Sequence, residues 1–200
     1  VPMFKHMYIA HMKTILNENF MDSSYYFNAQ NLQSIIDTAI QSDPNAFYTY
    51  TEFTDNLTIN VIDGIKTIPG LTNLMEPRKS FLNSTTEFQQ ISPTISNIVV
   101  SDTLPLLNSI IYITTAVANA TEVYIGTRNS IMDKFTRQLM FDDGLHSDGS
   151  AGDNVYGIDA TIEGSYLQYY IYAENTNAGV FSPAKPLAAS VTRLRFVKEA

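Results

Sequence analysis

Four aspartates fall within one short stretch of this chain and could supply a metal site. The stretch covers residues 141–156 and contains Asp142, Asp143, Asp148 and Asp153 together with three glycines. Carboxylate oxygens, completed by loop carbonyls, are the ligands that Ca²⁺ takes in proteins. The spacing is not that of an EF-hand, however, and each carboxylate could instead accept hydrogen bonds from backbone N–H groups. Two interpretations therefore stay open, a calcium site at these four residues or a hydrogen-bonded loop.

Other side chains that could do chemistry have no partners at a useful spacing. His146 lies between the aspartates without a nucleophile beside it, which predicts a loop-fixing hydrogen bond rather than acid–base work. Ser147 and Ser150 lack the strand-turn-helix setting of an activated serine. His6 and His11 are five residues apart, so on a helix they point to diverging faces and predict a solvent-edge pair. We therefore predict no catalytic and no cofactor-binding residue.

The amino-acid composition argues against several classes of binding partner and site for this chain. The 200 residues carry 12 basic and 20 acidic side chains, a formal net charge of -8. Phosphate binding needs clustered Lys and Arg, so we expect no nucleic-acid partner and no binding to an anionic membrane surface. Cysteine is absent, which excludes disulfides and thiolate metal sites. No apolar run approaches the roughly 20 residues of a membrane-spanning helix, and a chain starting at Val1 is expected of a mature or excised piece.

The first half of the sequence has the apolar spacing of helices. Residues 3–20 and 28–41 are amphipathic at a spacing of three to four. A third helix is predicted to begin near Thr49, which stands three residues before Glu52 as in a capping box. Beyond residue 70, Pro77 predicts either a kinked helix or one that starts at the preceding residue. Isolated helices this short are marginal in water, so we expect them to pack on a partner that precedes them.

From residue 95 onward the apolar pattern changes to a period of two. Turn signals recur about every ten residues, which is typical of an immunoglobulin-like or fibronectin-like sandwich. The predicted strands are residues 95–100, 110–117, 122–127, 135–141, 155–162, 166–173, 179–181 and 190–197.

The tyrosines of this half allow two interpretations. The chain has 12 Tyr and no Trp, and in the strand at 166–173 Tyr166, Tyr170 and Tyr172 share one face. Exposed tyrosines could stack on carbohydrate, whereas buried ones would simply fill a sandwich core. Burial is the simpler explanation for most of them.

One stretch of the second half resembles a known module. Residues 140–156 read MFDDGLHSDGSAGDNVY and are followed by YYIYAEN at 169–175. This resembles a bacterial extracellular immunoglobulin-like module with the pattern DDG-x-H-x-DG-x-AGD-x-VY and then a YY-x-x-A strand. Asn154 stands where that pattern often has glycine. The resemblance covers about residues 93–184.

The first half resembles a different family. MYIAHMKTIL at 7–16, residues 29–43, and residues 71–82 with Arg78 and Lys79 resemble the C-terminal helical part of the spore-coat protein H (CotH) kinase-like family. That resemblance implies a secreted or cell-surface protein related to protein kinases, which uses ATP and Mg²⁺ or Mn²⁺ to phosphorylate serine in partner proteins. The family's nucleotide-binding lysine and metal-binding aspartates lie upstream of the matched region, so none can be assigned here.

Together these observations predict an α+β chain of two domains. Residues 1–92 would form a helical subdomain of a CotH kinase-like domain, 93–184 an immunoglobulin-like β-sandwich, and 185–200 a terminal strand or linker. The predicted function is a non-catalytic support lobe plus a spacer or interaction module. Its partners would be the upstream kinase-like core and an extracellular protein or glycan. The alternative is a calcium- or carbohydrate-binding adhesion module that uses the Asp/Gly loop and exposed tyrosines.

Overall fold

The chain folds as a mixture of helices and antiparallel sheets. The computed structural model describes residues 2–164, 166–183 and, for the backbone alone, 192–195. Within those residues it has five helices and sheets of five, three and two strands, which confirms the α+β class. The helices are α1 Pro2–Asn19, α2 Ser24–Ser42, α3 Tyr50–Asp55, α4 Leu71–Ser84 and α5 Thr86–Gln89.

Contacts divide the chain into two compact units. The helical unit comprises residues 13–89, and the sheet unit comprises residues up to Met12 and from Gln90 onward. The predicted domains 1–92, 93–184 and 185–200 differ from this division, because the contacts group the first twelve residues with the sheets. Most of the predicted terminal segment 185–200 lies outside the described residues.

Local signals in the helical unit behave largely as the sequence predicts. Thr49 caps α3 in a full capping box: Glu52 donates its N–H to Thr49 Oγ1 at 3.2 Å, and Thr49 donates its N–H to Glu52 Oε2 at 2.7 Å. Helix α4 begins at Leu71 and contains Pro77, so the alternative of a helix starting at Glu76 is wrong. The first turn of α4 is already closed by the Leu74 N–H, which donates to the Gly70 carbonyl at 2.9 Å.

The helical unit also contains a short hairpin that was not predicted from the sequence. Strands β1 (Val61–Asp63) and β2 (Lys66–Ile68) pair antiparallel. Gly64 lies in the turn with φ of 60°, a conformation that costs glycine little. Asp63 pairs with Lys66, so Gly64 and Ile65 form a two-residue turn. Glycine at the first position of such a turn is a hairpin signal and could have revealed it.

The sheet unit contains the remaining strands in two antiparallel sheets. The strands are β3 Thr94–Val100, β4 Ile110–Ala118, β5 Glu122–Arg128, β6 Thr136–Leu139, β7 Val155–Thr161, β8 Tyr166–Glu174, β9 Gly179–Ser182 and β10 Thr192–Arg195. In the three-stranded sheet the order is β3-β4-β7. In the five-stranded sheet the order is β10-β8-β5-β6, and β9 also pairs with β8.

One hydrophobic core joins the two sheets. Alternate residues of β4 are buried, as expected of a strand with one face on a core. Ile111 and Ile113 of β4 pack in the same cluster as Ile125 of β5 and Ile171 of β8. Each of these four side chains is at most 1% exposed, so this cluster is the main apolar stabilisation of the unit.

The opposite face of β8 is buried as well. Tyr170 and Tyr172 point to that face and form a second cluster with Phe181 and Ala10. Ala10 lies in the part of α1 that belongs to the sheet unit. Strand β8 is therefore covered on both faces, which explains its nearly continuous burial.

Candidate functional site

The aspartate stretch is a loop that connects β6 to β7 and folds back on β7. Phe141 and Gly157 exchange two backbone hydrogen bonds, of 2.9 and 2.7 Å. A side chain on Gly157 would overlap the His146 carbonyl oxygen and come within 3.0 Å of Asp148 Cβ. The loop thus packs directly against the backbone of β7 at a position that needs glycine.

Asp148 holds the first half of this loop together. Its side chain is only 2% exposed. Oδ2 accepts the N–H groups of Asp143 at 2.8 Å and Gly144 at 3.0 Å, and Oδ1 accepts that of His146 at 2.9 Å. Burial acts to raise the pKa of Asp148, but the backbone hydrogen bonds outweigh it and hold the pKa below its usual value.

Asp142 closes the second half of the loop in the same way. Its Oδ1 accepts the N–H groups of Gly152 at 2.8 Å and Asp153 at 3.2 Å, and its Oδ2 accepts that of Asn154 at 3.0 Å. Asn154 has φ of 67°, a left-handed conformation that asparagine tolerates better than most residues. This explains why asparagine is tolerated at position 154, where the pattern of the immunoglobulin-like module often has glycine.

The other two aspartates cap single turns. Asp153 accepts the Ser150 N–H at 3.0 Å and the Val155 N–H at 2.9 Å, one on each oxygen. Asp143 Oδ1 accepts the Leu145 N–H at 2.9 Å. All four predicted residues therefore lie in one loop, and each carboxylate binds backbone N–H groups.

His146 links this loop to its surroundings. Its Nδ1 lies 2.9 Å from Asp143 Oδ1 and its Nε2 lies 3.8 Å from Asp159 Oδ1. Its ring stacks on Phe141 with centroids 5.0 Å apart. The hydrogen bond to Asp143 raises the pKa of His146 despite partial burial, and the same bond lowers the pKa of Asp143. The contacts agree with the predicted loop-fixing role.

The calcium prediction stays a prediction. Among the described residues, no group of three or more His, Asp or Glu side chains is arranged to hold a metal ion. Seven of the eight carboxylate oxygens of Asp142, Asp143, Asp148 and Asp153 accept at least one hydrogen bond. A cation in this loop would therefore have to share oxygens with N–H donors.

A second polar network, not predicted from the sequence, lies on the outer face of the five-stranded sheet. Tyr172 donates its OH to Glu174 Oε2 at 2.7 Å, and His6 Nδ1 lies 3.2 Å from the same oxygen. The His6 and Glu174 side chains are 12% and 11% exposed. Burial, together with the hydrogen bond to Glu174, raises the pKa of Tyr172.

The predicted solvent-edge pair of histidines is wrong for His6, whose side chain is only 12% exposed, whereas His11 is exposed as predicted. His6 contacts Glu174, and His11 stacks on Phe181 with ring centroids 4.4 Å apart. Met3 and Met7, one turn apart, pack on the same aromatic cluster. One face of the start of α1 therefore packs on a sheet, while Phe4 and Tyr8 of the same helix are exposed. The sequence signal for this contact was the apolar spacing of these methionines, together with the tyrosines on the outer face of β8.

Two of the tyrosines considered for carbohydrate stacking are not available at the surface. Tyr170 is 9% exposed and Tyr172 is fully buried. Exposed tyrosines among the described residues are Tyr8, Tyr48, Tyr50 and Tyr112. A stacking surface would have to use these instead.

Comparisons with known proteins add no relative. No family model and no curated protein matches this chain. The resemblances to the CotH family and to the immunoglobulin-like module therefore rest on the residues quoted for them. Within the described part of the chain, none of the helices combines the length and apolar character required to cross a bilayer.

Proposed function

We propose that this chain is a non-catalytic part of a secreted CotH-like protein kinase. In this proposal the helical unit supports a kinase-like core of the same polypeptide. The sheet unit is an immunoglobulin-like spacer and interaction module. The secreted or cell-surface location, and the ATP- and metal-dependent chemistry of the core, come from the family resemblance.

The observation that carries the proposal is the exposed apolar surface of the helical unit. Helices α2, α3 and α4 contain no buried residue. On α2, Leu32, Ile35 and Ile36 lie on one face and are 63%, 71% and 45% exposed. Further exposed apolar side chains of the unit are Ile15, Met21, Phe27, Phe47, Ile59, Ile62, Ile65 and Phe81.

Such a surface favours a docking role. Fully burying one large aliphatic side chain stabilises an interface by about 1.5–3 kcal/mol, so α2 alone offers several kcal/mol to a partner. Contiguous apolar patches are uncommon on free monomers and usually mark interaction sites. In this proposal the occupant is the kinase-like core, because the helices resemble the part of the family that follows that core.

Strand order in the sheet unit supports the immunoglobulin-like part of the proposal. The hairpin β3–β4 lies in one sheet and β5–β6 in the other, and the chain then returns to place β7 beside β4 and β8 beside β5. Two antiparallel sheets with these alternating connections over a shared core are the arrangement of immunoglobulin-like sandwiches.

The docking role can be tested by mutating α2. The kinase-like segment encoded upstream and this chain are expressed separately, and their binding is measured by calorimetry. Ile35→Asp is expected to weaken binding by at least about tenfold. Ser34→Asp, on the polar side of the same helix, is the matched control and should bind like the wild type. Equal affinity for both variants would contradict docking through α2.

The non-catalytic role needs its own assay. This chain alone, incubated with ATP, Mn²⁺ and a serine-rich acceptor protein, is expected to transfer no phosphate. Phosphotransfer that survives purification of the chain to homogeneity would overturn the proposal.

The alternative function is a calcium- or carbohydrate-binding adhesion module, favoured by the four aspartates gathered in one loop. Calcium that binds only the folded chain would stabilise it by about 2.7 kcal/mol when the free calcium concentration is one hundred times Kd. This stabilisation would raise Tm. The raised Tm should then be reversed by EDTA. Titration of Ca²⁺ during thermal unfolding therefore tests the calcium form of this alternative, with Mg²⁺ as the control ion.

A further inference from the structure

The chain just after β6 pairs with β7 at a single residue pair, and β6 itself diverges from β7. Phe141 pairs with Gly157, and preceding residues of β6 turn away to pair with β5, while β7 stays paired with β4. Within the described residues, β6 and β7 have no other partner strands. Each strand therefore presents one unpaired backbone edge to the gap between them.

The hydrogen bonds of β7 show which of its groups face this gap. Gly157 directs its N–H and C=O to Phe141, and residues two and four positions later, Asp159 and Thr161, point the same way in an extended strand. Tyr112, opposite Asp159 on β4, bonds instead to Ser101 through both its N–H and its carbonyl. The backbone groups of Asp159 and Thr161 are thus directed away from β4.

A cleft of about 500 Å³ lies along this edge. Its walls include Thr136 and Gln138 of β6 and residues 159–161 of β7, and its floor includes the buried Leu167. Thr136 and Gln138 occupy the same face of β6 and are exposed. Because both side chains are polar, this wall of the cleft offers hydrogen-bonding groups rather than an apolar surface.

The rim of the cleft carries both signs of charge. Arg128 and Lys134 lie on it together with Asp133, Asp159 and Glu163. Because two cations and three carboxylates lie together on the rim, the cleft has no concentrated positive potential that would attract a phosphate or another small anion. Free strand edges, by contrast, recognise any extended backbone through main-chain hydrogen bonds.

We propose that this cleft binds an extended peptide segment, which adds as a strand to the β7 edge at Asp159–Thr161. The new strand continues the ladder begun by Phe141 and Gly157, and its inward side chains are polar because they meet Thr136 and Gln138. This inference rests on the interaction role proposed for the sheet unit. It does not depend on docking through α2, so either can fail alone.

The test uses the full chain, labelled with ¹⁵N, and an acetylated, amidated octapeptide of alternating Thr and Val. A second octapeptide with two central valines replaced by proline is the control, because proline cannot complete a ladder. Amide hydrogen exchange is followed residue by residue. Saturating Thr-Val peptide is expected to slow exchange at Asp159 and Thr161 by about tenfold or more, and the proline peptide should leave it unchanged.

Two variants locate the site. Gln138→Trp fills the cleft and is expected to weaken peptide binding by about tenfold. Leu139→Trp adds the same ring to the other face of β6 and should bind as the wild type does. Thermal unfolding of both variants confirms that each is folded.

Several outcomes would overturn the proposal. Protection caused equally by the proline peptide would mean nonspecific contact. The cleft would instead be assigned to a small polar ligand if an oligosaccharide changed the NMR chemical shifts of the cleft residues and the peptide did not protect Asp159 and Thr161. Protection that rises with protein concentration in the absence of peptide would assign the edge to a second copy of the chain.

Discussion

Asp148 is expected to contribute more to stability than any other aspartate of the loop. Its buried carboxylate accepts three backbone N–H groups. In Asp148→Asn the amide nitrogen must face one or two of these donors, and each buried N–H left without an acceptor costs about 1–3 kcal/mol. We expect a loss of about 3 kcal/mol in unfolding free energy, or roughly 10 °C in Tm for a unit of this size.

The pH dependence gives this prediction a second measurement. The pKa of Asp148 is lowered in the fold, so its contribution is present above the ordinary aspartate pKa of about 3.9 and is lost as the pH falls through the lowered folded value. The amide that replaces the carboxylate in the variant does not titrate. The Tm difference between wild type and Asp148→Asn should therefore be largest near neutral pH and should narrow below about pH 4.

The assay is thermal unfolding by circular dichroism over this pH range. Asp143→Asn makes the same chemical change in the same loop at an exposed position, where an amide oxygen can still accept the Leu145 N–H. That control weakens only the exposed contact with His146, so it should unfold much closer to the wild type than Asp148→Asn does. If Asp148→Asn matches the control at neutral pH, or if its Tm deficit does not narrow in acid, the three N–H bonds do not stabilise the loop as argued.

Three further changes test other parts of the structure. Tyr172→Phe removes a hydrogen-bond donor from the nearly buried Glu174 and should lower the unfolding free energy by about 1–3 kcal/mol. Because the pKa of Tyr172 is raised in the fold, the wild type should lose stability above about pH 10, where tyrosine ionises in the unfolded chain, and the variant should lose less. Both effects are measured by urea unfolding. Gly157→Ala forces a methyl group into the His146 carbonyl and should reduce Tm, with loss of loop amide protection in hydrogen exchange; unchanged protection would contradict the packing. Thr49→Ala removes the cap of α3 and should lower the unfolding free energy by about 1 kcal/mol. Thr49→Ser keeps a hydroxyl that can cap the helix and should retain most of that stability in the same unfolding assay.

The elements that the sequence predicts well are those with local causes. The α3 capping box depends on residues three apart, and the strand at 110–117 depends on alternation along one segment, so both are visible without tertiary structure. The turn network also has a local cause, since each aspartate of the loop bonds to backbone within 12 positions. These parts of the fold and of the candidate site could be predicted.

The remaining features depend on contacts between distant residues. The positions of His6 and His11 are set by a sheet more than 160 residues further along the chain, and no periodicity encodes that pairing. Strand β8 carries apolar residues on both faces because both are buried. Its sequence pattern therefore could not show that Tyr170 and Tyr172 are buried beneath other residues. The unpaired edge of β7 follows from β6 pairing with β5 instead, a choice that depends on long-range topology.

The clustering of the first twelve residues with the sheets has a practical consequence for anyone who wants the C-terminal half alone. An expression product beginning at Gln90 would lack Met3, Met7 and Ala10, and would present Tyr170, Tyr172 and Phe181 to solvent as an open aromatic surface. Such a product is expected to aggregate. A deletion variant in which a flexible linker replaces residues 13–89, or the first twelve residues added back as a synthetic peptide, should restore solubility.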